Sequence, residues 1–187
     1  SGATPLGAIT TTTPNGKRVV KKDLDRIIEA HNLPYQATAC ASYPADIYNK
    51  VKKALSIPGP KFLHILAPCP PGWRTPSEKT VEIGKMAVKS GIWVLWEKEY
   101  DKLTISAPSR AAMKKPMPVI DYLKAQGRFK KVDEETAAQI QANVDKNLKK
   151  IAAEAESRYI PFAPHNPSGP VANAATLQLA ATCPNFC

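Results

Sequence analysis

The apolar run KFLHILAP at residues 61–68 constrains the fold of this chain more than any other segment. Its length and nearly unbroken apolar character are typical of a β-strand that is covered by helices on both faces. A helical pattern precedes it at 43–55, and another follows it at 75–91. This alternation of helix and strand predicts an α/β layer architecture.

Other segments fit the same alternation. The period of apolar residues predicts further helices at 21–33, 118–129 and 133–159, and strands at 34–41, 92–100 and 102–106, the last two joined by a tight turn at 100–102. In the helix at 75–91, Thr75 is placed as N-cap, Pro76 fits the first position and Glu78 completes a capping box. Gly91 is suited to end that helix. We expect buried stripes that include Leu24 and Ile27 in the first helix, Val51 and Leu55 in the second, Val81 and Val88 in the third, and Ile140, Val144, Leu148, Ile151 and Ala155 in the last.

The two ends of the chain lack such periods. Residues 1–20 are rich in Thr, Gly and Pro and indicate an extended surface segment. From residue 158 onward Pro, Asn and Ala dominate, which predicts an extended tail lying over its own domain or a neighbouring subunit. The predicted organisation is therefore one domain at 1–157 followed by a tail at 158–187.

The charge balance indicates an acidic partner. The 26 Lys and Arg residues exceed the 16 Asp and Glu residues, giving a net charge of +10. The basic residues are spread over helices and form no long block, and no glycine-flanked aromatic strand suited to stacking bases is present. We therefore predict no nucleic-acid partner. No apolar run approaches the roughly 20 residues that span a bilayer, so we predict no membrane partner either.

The four cysteines do not form a small secreted disulfide framework, because their spacing is irregular and the chain is large. No CxxC pair is present, and a reducing cytoplasm is the expected compartment. Cys40 is expected to be a buried packing residue, and His64 a hydrogen-bonded core residue. For Cys183 and Cys187, a plain tail, a disulfide and a metal site completed elsewhere all remain open.

Cys69 stands apart from these residues. It lies between prolines in the segment APCPPGW, directly after the strand predicted at 61–68. Lone cysteines are usually inert packing residues. The carboxyl end of a strand, however, is where open α/β sheets place their ligands. The residues alone leave both interpretations open.

Five blocks of sequence, in this order, resemble the β subunits of 2-oxoacid:ferredoxin oxidoreductases, and among these the pyruvate:ferredoxin oxidoreductases (pyruvate synthases) most. The blocks are SGATPLGAITTTTPNGK (1–17), LPYQATACASYP (33–44), GPKFLHILAPCPPGW (59–73), KSGIWVLWE (89–97) and AQGRF (125–129). The resemblance covers residues 1–157. It implies a thiamine-diphosphate-binding fold with a mostly parallel sheet and helices on both faces, of which this chain is the C-terminal half plus a tail.

The resemblance also implies an activity. The family oxidatively decarboxylates a 2-oxoacid with thiamine diphosphate, most members forming an acyl-coenzyme A, and passes the electrons through [4Fe–4S] clusters to ferredoxin. Pyruvate, converted to acetyl-coenzyme A and CO2, is the expected substrate. The implied partners are the N-terminal part of the β subunit, the α, γ and δ subunits or their equivalents, ferredoxin, the 2-oxoacid and coenzyme A. These 187 residues alone are not expected to be active.

The same resemblance assigns candidate site residues. Cys69 corresponds to the fourth ligand of the [4Fe–4S] cluster nearest the thiamine, the other three cysteines lying outside this chain. The segment that binds most of the thiamine diphosphate and Mg2+ is expected to precede Ser1. Ser1, Gly2 and Thr4 are expected near the thiamine pocket, and no catalytic residue is identified.

Two other classes of function remain open at this point. One is a non-catalytic basic module that binds RNA or serves as a subunit scaffold, which accounts for the same positive charge. The other is a thiamine-dependent decarboxylase without iron, in which Cys69 would be dispensable.

Overall fold

The computed structural model describes residues 2–157, which form a four-stranded sheet flanked by helices. The strands are β1 (Tyr35–Cys40), β2 (Lys61–Leu66), β3 (Trp96–Glu99) and β4 (Lys102–Ile105). The helices are α1 (Leu24–Glu29), α2 (Pro44–Ser56), α3 (Pro70–Trp73), α4 (Thr80–Lys89), α5 (Ala107–Lys114), α6 (Val119–Lys124) and α7 (Glu134–Ser157), with 3-10 turns at Ser77–Lys79 and Gly127–Phe129. The tail predicted at 158–187 lies outside the described residues.

The sheet is mixed and has the order β2-β1-β3-β4. β1 and β2 are parallel and are connected by α2, whereas β3 runs antiparallel to both of its neighbours. Three of the four strands therefore point in one direction. The predicted α/β architecture is confirmed, as is the hairpin of β3 and β4.

Helices cover both faces of the sheet. On one face, Ala54 and Ile57 at the end of α2 pack against Tyr35 and Ala37 of β1. On the other face, the apolar residues of α4, α6 and α7 pack with Cys40 at the end of β1. The alternation of side chains along β1 thus separates two packing layers. The prediction of helices on both faces is confirmed.

The expectation that β2 is covered on both faces is wrong for the described residues. β2 is an edge strand, hydrogen-bonded to β1 on one side, and Ile65 is 43% exposed. An unbroken apolar run is therefore compatible with an edge position, where part of the apolar surface stays uncovered.

Helix α1 has the predicted position but not the predicted orientation. Leu24 and Ile27 are exposed, and α1 contributes no buried residue. Its polar side chains face the sheet instead, where Asp25 contacts His64 and Glu29 pairs with Lys98. Ion pairs replace apolar burial because the surface beneath α1 carries charged groups.

The ends of α4 and the exposure of apolar residues in α2 and α4 test further predictions. A 3-10 turn precedes α4, so that helix begins at Thr80 and Thr75 does not cap it. Gly91 follows α4 with a φ of 75°, as predicted for a helix end. Leu55 is 79% exposed, and Val51 and Val81 are also exposed, so the prediction that these three residues lie in buried stripes is wrong.

The long C-terminal helix completes the core. Val144 and Ile151 of α7 are buried, and Ile140 and Leu148 pack against the same clusters, as the spacing predicts. Residues 2–23 contain no regular helix or strand, yet Ala8 is fully buried among the core residues. None of the helices in residues 2–157 is long and apolar enough to cross a membrane.

Candidate functional site

Cys69 lies at the end of β2 and forms the N-cap of the short helix α3. Its side chain is exposed and its thiol is free. Pro70 stands at the first position of α3, and the Trp73 amide donates a hydrogen bond of 2.8 Å to the Cys69 carbonyl. Proline fixes φ of the backbone and offers no N–H group. The fold therefore presents one accessible sulfur on a stiff turn.

The turn that carries Cys69 is attached to the segment 125–129. Arg74 ends α3 in a left-handed conformation, and its carbonyl accepts a hydrogen bond of 3.2 Å from the Gly127 amide. A Cβ at position 127 would lie 2.8 Å from the Arg74 Cβ and 3.0 Å from its carbonyl oxygen. Glycine is required at 127 because the two backbones approach so closely.

Arg128 is the central side chain of this contact. Its guanidinium carbon lies 3.8 Å from the centroid of the Trp73 ring. Its Nε donates a hydrogen bond of 2.9 Å to the Gln126 side-chain oxygen, and its terminal nitrogen donates one of 3.3 Å to the Tyr122 hydroxyl. Burial lowers the pKa of Arg128, whereas its interactions with Tyr122 and Cys69 act in the opposite direction.

The amino-terminal segment also contacts Arg128. The Ile9 amide donates a hydrogen bond of 2.8 Å to the Arg128 carbonyl. Block 125–129 therefore contacts two others of the five sequence blocks, block 1–17 through Ile9 and block 59–73 through Trp73. The sequence contains all three blocks but gives no indication of these contacts, nor that Arg128 is buried.

The residues predicted near a thiamine pocket are only partly described. Gly2 is exposed, and its carbonyl accepts a hydrogen bond of 2.8 Å from the Lys22 amide. Thr4 is buried, and Ser1 lies outside the described residues. Their proximity to thiamine stays a prediction.

Cys40 is the packing residue that the sequence predicts. It is fully buried, its sulfur lies 3.7 Å from the Gly84 carbonyl oxygen, and burial raises its pKa. Residues 2–157 contain no group of three or more metal-ligating side chains. A cluster bound at Cys69 would therefore need its remaining thiolates from elsewhere, and Cys183 and Cys187 are not among the described residues.

A cavity of about 510 Å3 lies apart from Cys69, between α1, the sheet and α7. The Lys21 ammonium stands 5.0 Å from the centroid of the Trp93 ring in its wall, and burial lowers the pKa of Lys21. His64 pairs there with Asp25 at 2.9 Å and meets the Trp93 ring edge-on. His64 is thus hydrogen-bonded, as predicted, but 27% of its side chain is exposed.

Comparison with known proteins supplies the remaining observation. The chain is 46% identical to the pyruvate synthase subunit PorB of Methanocaldococcus jannaschii over 154 residues, which are 80% of this chain and 50% of that protein. It is 44% identical to the ketoisovalerate oxidoreductase subunit VorB of Pyrococcus horikoshii over 160 residues, 81% of this chain and 51% of that protein. The subunit PorB of Thermotoga maritima is 39% identical over 161 residues, 81% of this chain and 48% of that protein.

The chain is a relative of these oxidoreductase subunits. The resemblance seen in the sequence blocks is confirmed, and it extends over about four fifths of the chain. The chain spans about half the length of the curated relatives it matches.

A family described as enolase C-terminal domain-like also matches, over residues 143–187. This match covers the second half of α7 and the residues beyond 157. It does not include the turn of Cys69, and it does not bear on the chemistry considered there.

Proposed function

We propose that this chain is part of a 2-oxoacid:ferredoxin oxidoreductase. The observation that carries the proposal is the identity of 39–46% with subunits named for pyruvate synthase and ketoisovalerate oxidoreductase. The contacts of block 125–129 with blocks 1–17 and 59–73 are consistent with it, because all three are among the five blocks that resemble the family. The matched relatives are about twice as long, so the activity is proposed for a larger assembly and not for these 187 residues alone.

In this proposal Cys69 supplies one thiolate ligand to a [4Fe–4S] cluster. Its exposed, unpaired sulfur fits that role, since such clusters are bound by cysteine thiolates that come from separate segments. The stiff turn between β2 and α3 keeps the sulfur in place. Its three co-ligands are proposed to lie outside this chain.

The proposed cofactors are that cluster and thiamine diphosphate with Mg2+. When bound, thiamine supplies the decarboxylation chemistry, and the clusters carry the electrons away to ferredoxin. Ser1, Gly2 and Thr4 are proposed to lie near the thiamine. The proposed partners are the remainder of the β subunit, the α, γ and δ subunits or their equivalents, ferredoxin and coenzyme A.

The substrate is proposed to be pyruvate, with 2-oxoisovalerate as the main competitor. The relatives named for pyruvate and for ketoisovalerate are 46% and 44% identical to this chain, so identity alone does not separate them. The ratio of kcat/KM for the two acids in the assembled enzyme decides between them.

The experiment that tests the cluster compares Cys69→Ser with Cys40→Ser in the assembled complex. We expect Cys69→Ser to lose one cluster, measured as iron content and as absorption at about 400 nm, while thiamine is retained. Cys40→Ser is the matched control, since its buried thiol has no ligand role. An unchanged absorption spectrum and iron content in Cys69→Ser would show that Cys69 is not a cluster ligand. Binding of RNA with a steep salt dependence, in a complex lacking thiamine and iron, would favour the basic module instead.

A further inference from the structure

Arg128 differs from the other deeply buried cations of the described residues. Lys50 is 3% exposed and lies 2.7 Å from Asp46, and Lys98 is 9% exposed and pairs with Glu29. Arg128 is 6% exposed, yet none of the ion pairs within residues 2–157 includes it. Its charge is met by neutral groups only, namely the Gln126 oxygen, the Tyr122 hydroxyl and two aromatic rings.

This arrangement is unfavourable unless an anion lies nearby. Removing a cation from water is unfavourable, and hydrogen bonds and ring contacts offset this desolvation penalty only in part. Buried charges in proteins are accordingly paired or coordinate a metal group. A buried arginine without a carboxylate therefore points to an anionic group that is not one of the described side chains.

The surroundings of Arg128 indicate where that group lies. The guanidinium stacks on Trp73, whose amide is hydrogen-bonded to the Cys69 carbonyl. The amide of the preceding residue, Gly127, donates a hydrogen bond to the Arg74 carbonyl at the end of the same turn. The cation is thus attached to the turn that presents the exposed sulfur.

We propose that Arg128 is a positioning residue for an anionic iron–sulfur cluster at Cys69, compensating its negative charge and orienting the turn through Trp73. This inference rests on the proposed function. Net charge around a cluster is one determinant of its reduction potential. A fixed positive charge favours the more negative, reduced cluster, so Arg128 raises the potential.

The test is a redox titration of the assembled oxidoreductase, in which electron paramagnetic resonance of the reduced clusters is the signal that is measured. In Arg128→Gln we expect the potential of one cluster to fall while its iron content is retained. Arg128→Lys keeps the charge and should stay nearer to the wild type. Lys79→Gln is the matched control, since this exposed lysine lies in solvent and its charge is screened. An Arg128→Gln enzyme with a full complement of clusters and unchanged potentials overturns the proposal.

A second variant applies if Arg128→Gln does not fold. Gln126→Glu places a carboxylate at the oxygen that accepts the Arg128 Nε–H bond, and so neutralises the charge while the arginine stays in place. The same fall in potential is expected, and an unchanged potential overturns the inference. The proposed function fails separately: if Cys69→Ser retains every cluster, Cys69 is not a ligand, whatever the potentials of the Arg128 variants.

Discussion

Cys40 is the last residue of β1, and Cys69 follows the end of the neighbouring parallel strand β2. The fold nevertheless gives the two cysteines opposite environments. Cys40 is enclosed by α4, where Gly84 approaches it, whereas Cys69 projects from the turn before α3. Reaction of a thiol with an alkylating agent requires access and a thiolate. The two residues are therefore expected to differ in reactivity.

We predict that iodoacetamide modifies Cys69 in the native chain prepared without iron, while Cys40 reacts only after unfolding. Burial excludes the reagent from Cys40 and raises its pKa. Peptide mass spectrometry at increasing urea concentration measures both residues in one sample, independently of Cys183 and Cys187. Modification of Cys40 at the rate of Cys69 in the absence of urea would contradict the described packing.

Glu29 gives the fold a dependence on pH. Burial opposes its ionisation, but the hydrogen bond from Lys98 and the charge of Arg26 outweigh this effect and lower the pKa of Glu29 from 4.5 to about 2. A carboxyl group with a lowered pKa in the folded state stabilises the fold above its unfolded pKa. This stabilisation is lost as the pH falls from about 4.5 towards about 2.

We predict that Glu29→Gln reduces the difference in unfolding free energy between about pH 7 and about pH 3 by roughly 1 kcal/mol, since partial exposure weakens the ion pairs. Urea denaturation at the two pH values measures it. Glu135→Gln, which alters an exposed residue of α7, serves as control. Equal pH dependence of Glu29→Gln and the wild type would show that Glu29 is not paired in solution.

Individual residues were predicted less well than elements. The sequence suffices for Cys40, because a small cysteine in a β-branched and alanine-rich strand is usually buried. It does not suffice for Arg128, because arginine is mostly exposed in proteins and part of the enclosure comes from Trp73, which is distant in sequence. Burial of that kind depends on segments distant in sequence.

At the scale of elements, periodicity located most helices and strands but not their neighbours. α7 and the hairpin of β3 and β4 follow from spacing alone. The orientation of α1 depends on Lys98 and Glu154, which come from β3 and α7. The edge position of β2 depends on strand order, which local sequence does not encode. Short α3 was not predicted, because two prolines and a glycine normally indicate a turn.

The contact of α4 with β1 depends on Gly84. A Cβ there would lie 2.0 Å from the Ser42 Oγ and 3.1 Å from the Cys40 sulfur. We predict that Gly84→Ala lowers the free energy of unfolding by about 1–3 kcal/mol, the range for overpacked cores. Urea denaturation measures the change, and Lys85→Ala on the exposed side of α4 is the control. Ser42→Gly added to Gly84→Ala should recover part of the loss, and a neutral Gly84→Ala would contradict the close packing.

At the scale of the whole molecule, the described unit leaves apolar surface uncovered. Tyr48, Val51 and Leu55 are exposed on one side of α2, and Ile65 is exposed on the edge strand β2. Large uncovered apolar patches and open sheet edges favour association with other chains. The net charge of +10 opposes association between copies, but salt screens it.

We predict that the 187-residue chain associates increasingly with concentration in about 0.5 M salt, where the Debye length falls towards about 3–5 Å. The double variant Tyr48→Lys and Leu55→Lys should shift it towards the monomer, measured by light scattering after size exclusion. Asn49→Lys adds charge to the same helix without removing apolar surface and should change less. Identical association of the unmodified chain, the double variant and Asn49→Lys would show that α2 takes no part in the association.

The hydrogen bond between Ile9 and Arg128 joins the amino-terminal segment to a residue far along the chain, and this has a consequence for the order of folding. Contacts between distant segments form late, because a long loop must close before they are made. During synthesis, Cys69 emerges before Arg128 exists, so its turn waits for the last third of the domain. For the cluster proposed at Cys69, we expect insertion of iron to succeed only once this late contact has formed.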